Sequence, residues 1–218
     1  LRLSTTSGDK LFSEVYIGAI YDHYGKSWRV KSHGANEVYV EPNGVEHYTK
    51  PTRFWSIKPT GKFEGGKRWQ SDGIKAVLVL GQVEVQDTLA GYREYHEHTG
   101  DLVASHTYQT VSVNKFRTDA TWLQLEFADG LQPDGQFLQL HSVEHALRAT
   151  IPLGIPCDAY DFSGLTNKVG LAGLPTLFLY DTVKGGIGIA EAIFHNFPEF
   201  LRSSIPLLRD CRCDDSCP

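Results

Sequence analysis

Cys211, Cys213 and Cys217 stand close together as C-R-C-D-D-S-C, followed by Pro218. Thiolates this near one another rarely pair as ordinary disulfides without strain, whereas one short loop can supply several sulfur ligands to a tetrahedral zinc. The competing pattern is one disulfide plus a free thiol, but nothing else in the chain reads as a disulfide-stapled secreted domain. The remaining cysteine, Cys157, is followed by Asp158 and Asp161. It completes a four-sulfur site if the fold brings it beside Cys213; otherwise an isolated cysteine serves as a small buried hydrophobe. The two aspartates suit capping of local backbone. Four protein ligands leave no open position for water, so the zinc expected here is structural.

His141-Ser142-Val143-Glu144-His145 is an H-x-x-E-H string in a stretch of helical period. Residues four apart share a helix face, so both histidines could hold one metal while Glu144 activates water, as in a zinc-dependent hydrolase. Glu191 or Glu199 would have to supply a third ligand. The plainer reading is a helix whose histidines are satisfied by hydrogen bonds, in a chain with no catalytic site of its own. Further on, Leu177 to Gly188 reads as a strand, a Gly-rich turn and a helix start. Backbone N–H groups at Gly185, Gly186 and Gly188 could hold a phosphate or carboxylate there, with Asp181 ligating or orienting. A tight turn whose glycines let strand and helix pack closely explains the same residues. The G-x-x-x-x-G-K-[ST] loop is absent, so no ATP site is recognisable.

A third chemistry is suggested between Lys50 and Lys75. Seven cations (Lys50, Arg53, Lys58, Lys62, Lys67, Arg68, Lys75) face only Glu64 and Asp72, and are interleaved with Phe54, Trp55, Phe63 and Trp69. Cations contact phosphates and aromatic faces stack on unpaired bases, which suits a single-stranded nucleic-acid track. The expected contacts are Arg53, Trp55, Lys58, Lys62, Lys67, Arg68 and Trp69. The bland alternative is a solvated loop whose aromatic residues plug the local core.

The elements that must position these groups fall into two kinds. From Leu1 to about Gly130 the chain shows short β-rich runs: Val15–Tyr21, Ser27–Lys31, Glu37–Val40, Ala76–Val85, Gly91–Glu94, Ala104–Val113 and Thr121–Phe127. These predict an antiparallel sheet or small barrel. After it the period changes. Leu140, Val143, Leu147 and Ile151 form one helical stripe, Leu174–Tyr180 is a buried-strand run, and Gly188–Phe200 is helical again. The expectation is therefore an α+β chain: a β-rich accessory domain over 1–130 and an α/β zinc-binding domain over 136–218, joined by the Gly-, Pro- and Asp-containing linker 128–135. The net charge of −5 excludes a globally basic nucleic-acid binder, and only the 50–75 stretch is locally positive. No apolar run is long enough to span a bilayer and no signal peptide opens the chain. A cytoplasmic location follows, nucleoid-associated if the source is bacterial. The absence of any methionine suggests a piece of a larger polypeptide.

Taken in order, Gly18–Val30, Gly81–Val85 with Gly91-Tyr92, Phe116–Leu123, His141–Leu147, Cys157-Asp158 with Asp161, Tyr180–Gly188 and Cys211-x-Cys213-x3-Cys217-Pro218 resemble the C-terminal region of MrfA-type superfamily 2 DNA helicases. That region contains the MrfA zinc-binding (MZB) domain, and the likeness spans nearly the whole chain. It implies an accessory module of an ATP-dependent DNA helicase of DNA-repair type, whose motor domains lie in cis or in a helicase subunit in trans. It implies single-stranded DNA as a partner and Zn2+ on Cys211, Cys213 and Cys217. In the family a fourth cysteine closely follows the Cys-Pro; here a residue past Pro218 or Cys157 takes that role. Related modules occur in phage-defence proteins, which leaves a protein-interaction module as a further reading.

Overall fold

A computed structural model of the chain describes residues 8–71, 73–127, 133–158, 160–168 and 170–210. Among the described residues, eight strands and two long helices follow one another: β1 (Ile20–His23), β2 (Lys26–His33), β3 (Val38–Pro42), β4 (His47–Ser71), β5 (Ile74–His96), β6 (Leu102–Phe127), α1 (Pro133–Gly154), β7 (Phe162–Asn167), β8 (Thr176–Asp181) and α2 (Ile189–Arg209). The β-rich then α/β order matches the sequence reading. Strands β1, β2 and β3 form one antiparallel sheet, and the other five are ordered β4-β5-β6-β8-β7.

The chain divides into two units, residues 1–55 with 87–114 and residues 56–86 with 115–218, so β4, β5 and β6 each continue through both. In the first unit, β1 and β2 close a tight hairpin in which His23 pairs with Lys26. Tyr24 and Gly25 between them both take positive φ (49° and 71°), the twist that a two-residue hairpin turn requires. Val15, Tyr16, Ala19, Val30 and Leu89 form the local core. The Tyr16 hydroxyl donates to Thr49 Oγ1 at 2.9 Å, which in turn accepts from the Ile20 N–H.

In the second unit, β8 is buried at every position from Thr176 to Asp181 and alternates between two apolar clusters. Leu177 and Leu179 join Leu78, Leu80 and Leu123 under both helices, where Leu140, Leu147 and Ile151 of α1 meet Ile193, Phe197 and Phe200 of α2. Phe178 and Tyr180 join Ile57, Val83, Val85, Ala120 and Trp122. A strand buried on both faces is the physical meaning of the unbroken apolar run in its sequence.

The strands differ from the expected runs chiefly in length. β5 and β6 each merge two short runs, and β7 was not foreseen. The whole Lys50–Lys75 stretch, expected as a loop or open track, lies mostly in the strand β4. β4 is an edge strand, a position in which prolines such as Pro51 and Pro59 and charged side chains are tolerated.

Candidate functional site

Of the residues expected to bind zinc, Cys211, Cys213 and Cys217 lie outside the described residues. Cys157 is half-buried against the helix-side core of the second unit. Burial pushes its thiol up, and the nearby carboxylates of Asp161, Asp158 and Asp181 push the same way. Without a cation beside it, this sulfur stays a thiol. Asp161 accepts the Asp158 N–H at 2.9 Å through Oδ2, which is the local capping expected of it. Among the described residues, no three His, Cys, Asp or Glu side chains gather in metal-binding geometry.

The Gly-rich turn before α2 resolves differently from an external anion site. Gly185, Gly186 and Gly188 have φ near +90°, +82° and +88°, so the turn is built for glycine. Their N–H groups are already used: Gly185 donates to Arg117 O, Gly186 to Val183 O and Gly188 to Asp181. Asp181, fully buried, accepts from Ile187 and Gly188 at 2.6 and 2.9 Å through Oδ2 and from Ala190 at 2.7 Å through Oδ1. The anion at this helix start is therefore the protein's own carboxylate, fixing α2 onto β8. The sequence placed Asp181 beside the turn without revealing that it fills it.

The H-x-x-E-H helix is also arranged otherwise than a hydrolase needs. Glu144 is 3 % exposed and faces β7, where it accepts a 2.6 Å hydrogen bond from Thr166 Oγ1. Its Oε2 also lies 3.1 Å from His141 Nδ1. A carboxylate committed in this way orients a histidine; it is not free to deprotonate water on the solvent side. Glu191 and Glu199, the proposed third ligands, pair instead with His195 and Arg202.

The cationic stretch separates into committed and exposed side chains. In the first unit, Arg53 holds Asp87 through Nη2 and Nε at 2.6 and 3.2 Å, and its guanidinium lies 4.8 Å from the Trp55 ring centroid. One face of Trp55 is thereby covered. In the second unit, Lys67 donates to Phe194 O at 2.8 Å and rests 4.4 Å over the Phe194 ring. Phe194 is four residues before Pro198, whose missing N–H leaves that carbonyl without its helical donor, and α2 kinks at Asn196. Lys67 thus closes a gap in a helix. Lys58, Lys62 and Arg68 remain exposed, with Phe63 and Trp69 at 64 % and 41 % exposure. Arg68 and Trp69 line a shallow depression of about 340 Å³ with Gln70 and Lys75.

Comparison with known proteins places this geometry. The model of the MrfA Zn-binding domain (MZB) matches residues 143–218, a span that holds all four cysteines. A crystal structure of the DUF1998 helicase MrfA bound to DNA superposes with a TM-score of 0.71 and 26 % identity, covering 96 % of this chain and 28 % of that one. This chain is similar to the C-terminal, MZB-containing region of MrfA-type helicases. The ATP-dependent helicase YprA of Bacillus subtilis is 28 % identical over 204 residues, covering 92 % of this chain and 26 % of YprA. The Druantia protein DruE of Escherichia coli is 29 % identical over 185 residues, 72 % of this chain and 10 % of DruE. The chain therefore spans between a tenth and just over a quarter of the length of these relatives. No helix among the described residues is long and apolar enough to cross a membrane.

Proposed function

We propose that this MZB-containing module serves an ATP-dependent DNA helicase of the superfamily 2 repair type by engaging single-stranded DNA beside the motor domains and bracing them. It hydrolyses no nucleotide itself, and the motor domains lie in cis or in a partner subunit. The observation that carries the proposal is the likeness over 96 % of the chain to a helicase solved bound to DNA. The exposed cations and rings on the second-unit part of β4 support it and narrow the contact set to Lys58, Lys62, Phe63, Arg68 and Trp69. Arg53 and Lys67 are set aside because Asp87 and α2 already hold them. Cys211, Cys213 and Cys217 supply three thiolates of a structural zinc site, with Cys157 the candidate among the chain's own cysteines for the fourth, and the MZB match over residues 143–218 supports zinc there.

Fluorescence anisotropy with a labelled single-stranded oligonucleotide across a salt series tests the DNA contact. Neutralising Lys58 and Lys62 together should flatten the slope of log K against log salt by roughly 1.4, since each single-strand phosphate contact contributes about 0.7. Trp69→Ala should cost about 1–3 kcal/mol of stacking. Lys67→Ala should leave affinity unchanged. Binding that ignores the Lys58, Lys62 and Trp69 substitutions would overturn the contact assignment.

A further inference from the structure

His141 and His145 lie one helical turn apart on the solvent side of α1, with their Nε2 atoms 3.2 Å from each other. The rings meet edge to face, 4.6 Å between centroids at 84°. Two imidazole nitrogens bound at ~2.05 Å to one tetrahedral ion sit about 3.4 Å apart, so the separation already matches the bite of a chelating pair. The other nitrogen of His141 is fixed from behind. Glu144 Oε2 lies 3.1 Å from Nδ1, and Thr166 holds that carboxylate in turn. Phe137 stacks on the His141 ring at 5.7 Å and 6°, limiting its rotation. The arrangement carboxylate, imidazole, metal is the one that fixes ring tautomer and orientation at metal sites generally.

The tautomers follow from these contacts. Nδ1–H of His141 donates to Glu144, which leaves its Nε2 lone pair outward. In the metal-free chain His145 donates Nε2–H to that lone pair. On chelation His145 shifts its proton to Nδ1 and both Nε2 lone pairs turn outward onto the ion; no proton need leave the protein. Glu144, buried, stays behind His141 and does not enter the coordination sphere. The charged groups at this face are Glu144 and Arg148, which lies 4.0 Å from Glu144 Oε1.

We propose that His141 and His145 form a two-histidine chelate for a late divalent transition metal such as Ni2+, Cu2+ or Zn2+, oriented by Glu144 and separate from the cysteine zinc site. The remaining coordination positions go to water or an external ligand. This site is independent of the DNA-binding reading and carries no hydrolytic role.

Calorimetric titration with Ni2+ of the 218-residue chain, preloaded with one equivalent of Zn2+ to occupy the thiolates, tests it. The expected result is one Ni2+ site whose affinity falls at least tenfold in both His141→Ala and His145→Ala. Glu144→Gln should weaken it less, with the His145 imidazole signals still broadened by Ni2+ in NMR spectra. His145 is exposed, so His145→Ala should melt in the metal-free state like the parent chain, which separates loss of a ligand from loss of the fold. Unchanged Ni2+ affinity in His145→Ala, or Ni2+ uptake that disappears only when cysteines are replaced, would overturn the proposal.

Discussion

At the scale of single residues, buried carboxylates organise this protein, and Glu94 shows how much of that is electrostatic. It is 7 % exposed, accepts from Arg29 Nη2 and Nη1 at 2.7 and 3.3 Å, and faces His47 Nδ1 at 2.8 Å and His106 Nε2 at 3.5 Å. The Arg29 hydrogen bonds, reinforced by His47, outweigh burial and hold its carboxyl down at about 2, against an ordinary 4.5. A carboxyl whose folded value lies below its unfolded one stabilises the fold above the unfolded value. That contribution disappears as pH falls through the window from about 4.5 to about 2. Urea midpoints should therefore drop across this acid range in the parent chain, and Glu94→Gln should flatten the drop while lowering stability near neutrality. An identical acid profile in the variant would show that the Arg29 pair is not a source of the pH dependence. Asp181 and Glu144 are likewise buried carboxylates that accept from several donors. The sequence does not mark such residues out from other acids, because most of their donors come from segments distant in the chain or from backbone N–H groups.

At the scale of elements, legibility followed periodicity. The stripe Leu140, Val143, Leu147 and Ile151 gave α1: Leu140, Leu147 and Ile151 are fully buried, and Val143 packs partly buried against the same core. The run Leu174–Tyr180 gave β8, which occupies Thr176–Asp181. β4 was the least legible, because an edge strand protects itself with prolines and lysines, the features that otherwise mark a loop. Within it, Lys67 illustrates how a helix defect is repaired from another element. Pro198 withdraws the donor for Phe194 O, and the Lys67 ammonium supplies a replacement from β4 at 2.8 Å. Removing it leaves a carbonyl and an apolar ring uncovered beside the kink. Lys67→Ala should lower stability by about 1.5–3 kcal/mol, read from denaturant midpoints, the usual range for a hydrogen bond involving a charged group. Loss of that size with unchanged DNA affinity would place Lys67 in the helix and not in the nucleic-acid contact. A change in affinity with no change in stability would reverse the assignment.

At the scale of the whole molecule, a chain of net charge −5 cannot attract nucleic acid through its overall field, so any contact must be local and strongly dependent on salt. Metal is the other global term. The cysteines Cys211, Cys213 and Cys217 close the sequence after α2, and Cys157 follows α1, so a thiolate site would tie together the ends of the two helices' segments. Zinc binds only the folded arrangement of such ligands, and its binding free energy therefore adds to folding stability. Metal analysis of the purified chain should give zinc that Cys213→Ser removes, and chelation should lower the Tm of the parent chain to that of the variant. Because protonated thiols cannot ligate, the same loss should follow acidification, above the range in which Glu94 titrates. The two His141 and His145 substitutions should leave this zinc in place. If zinc instead survives Cys213→Ser and leaves with either histidine, the resident metal belongs to α1 and the cysteines of the MZB match do another job.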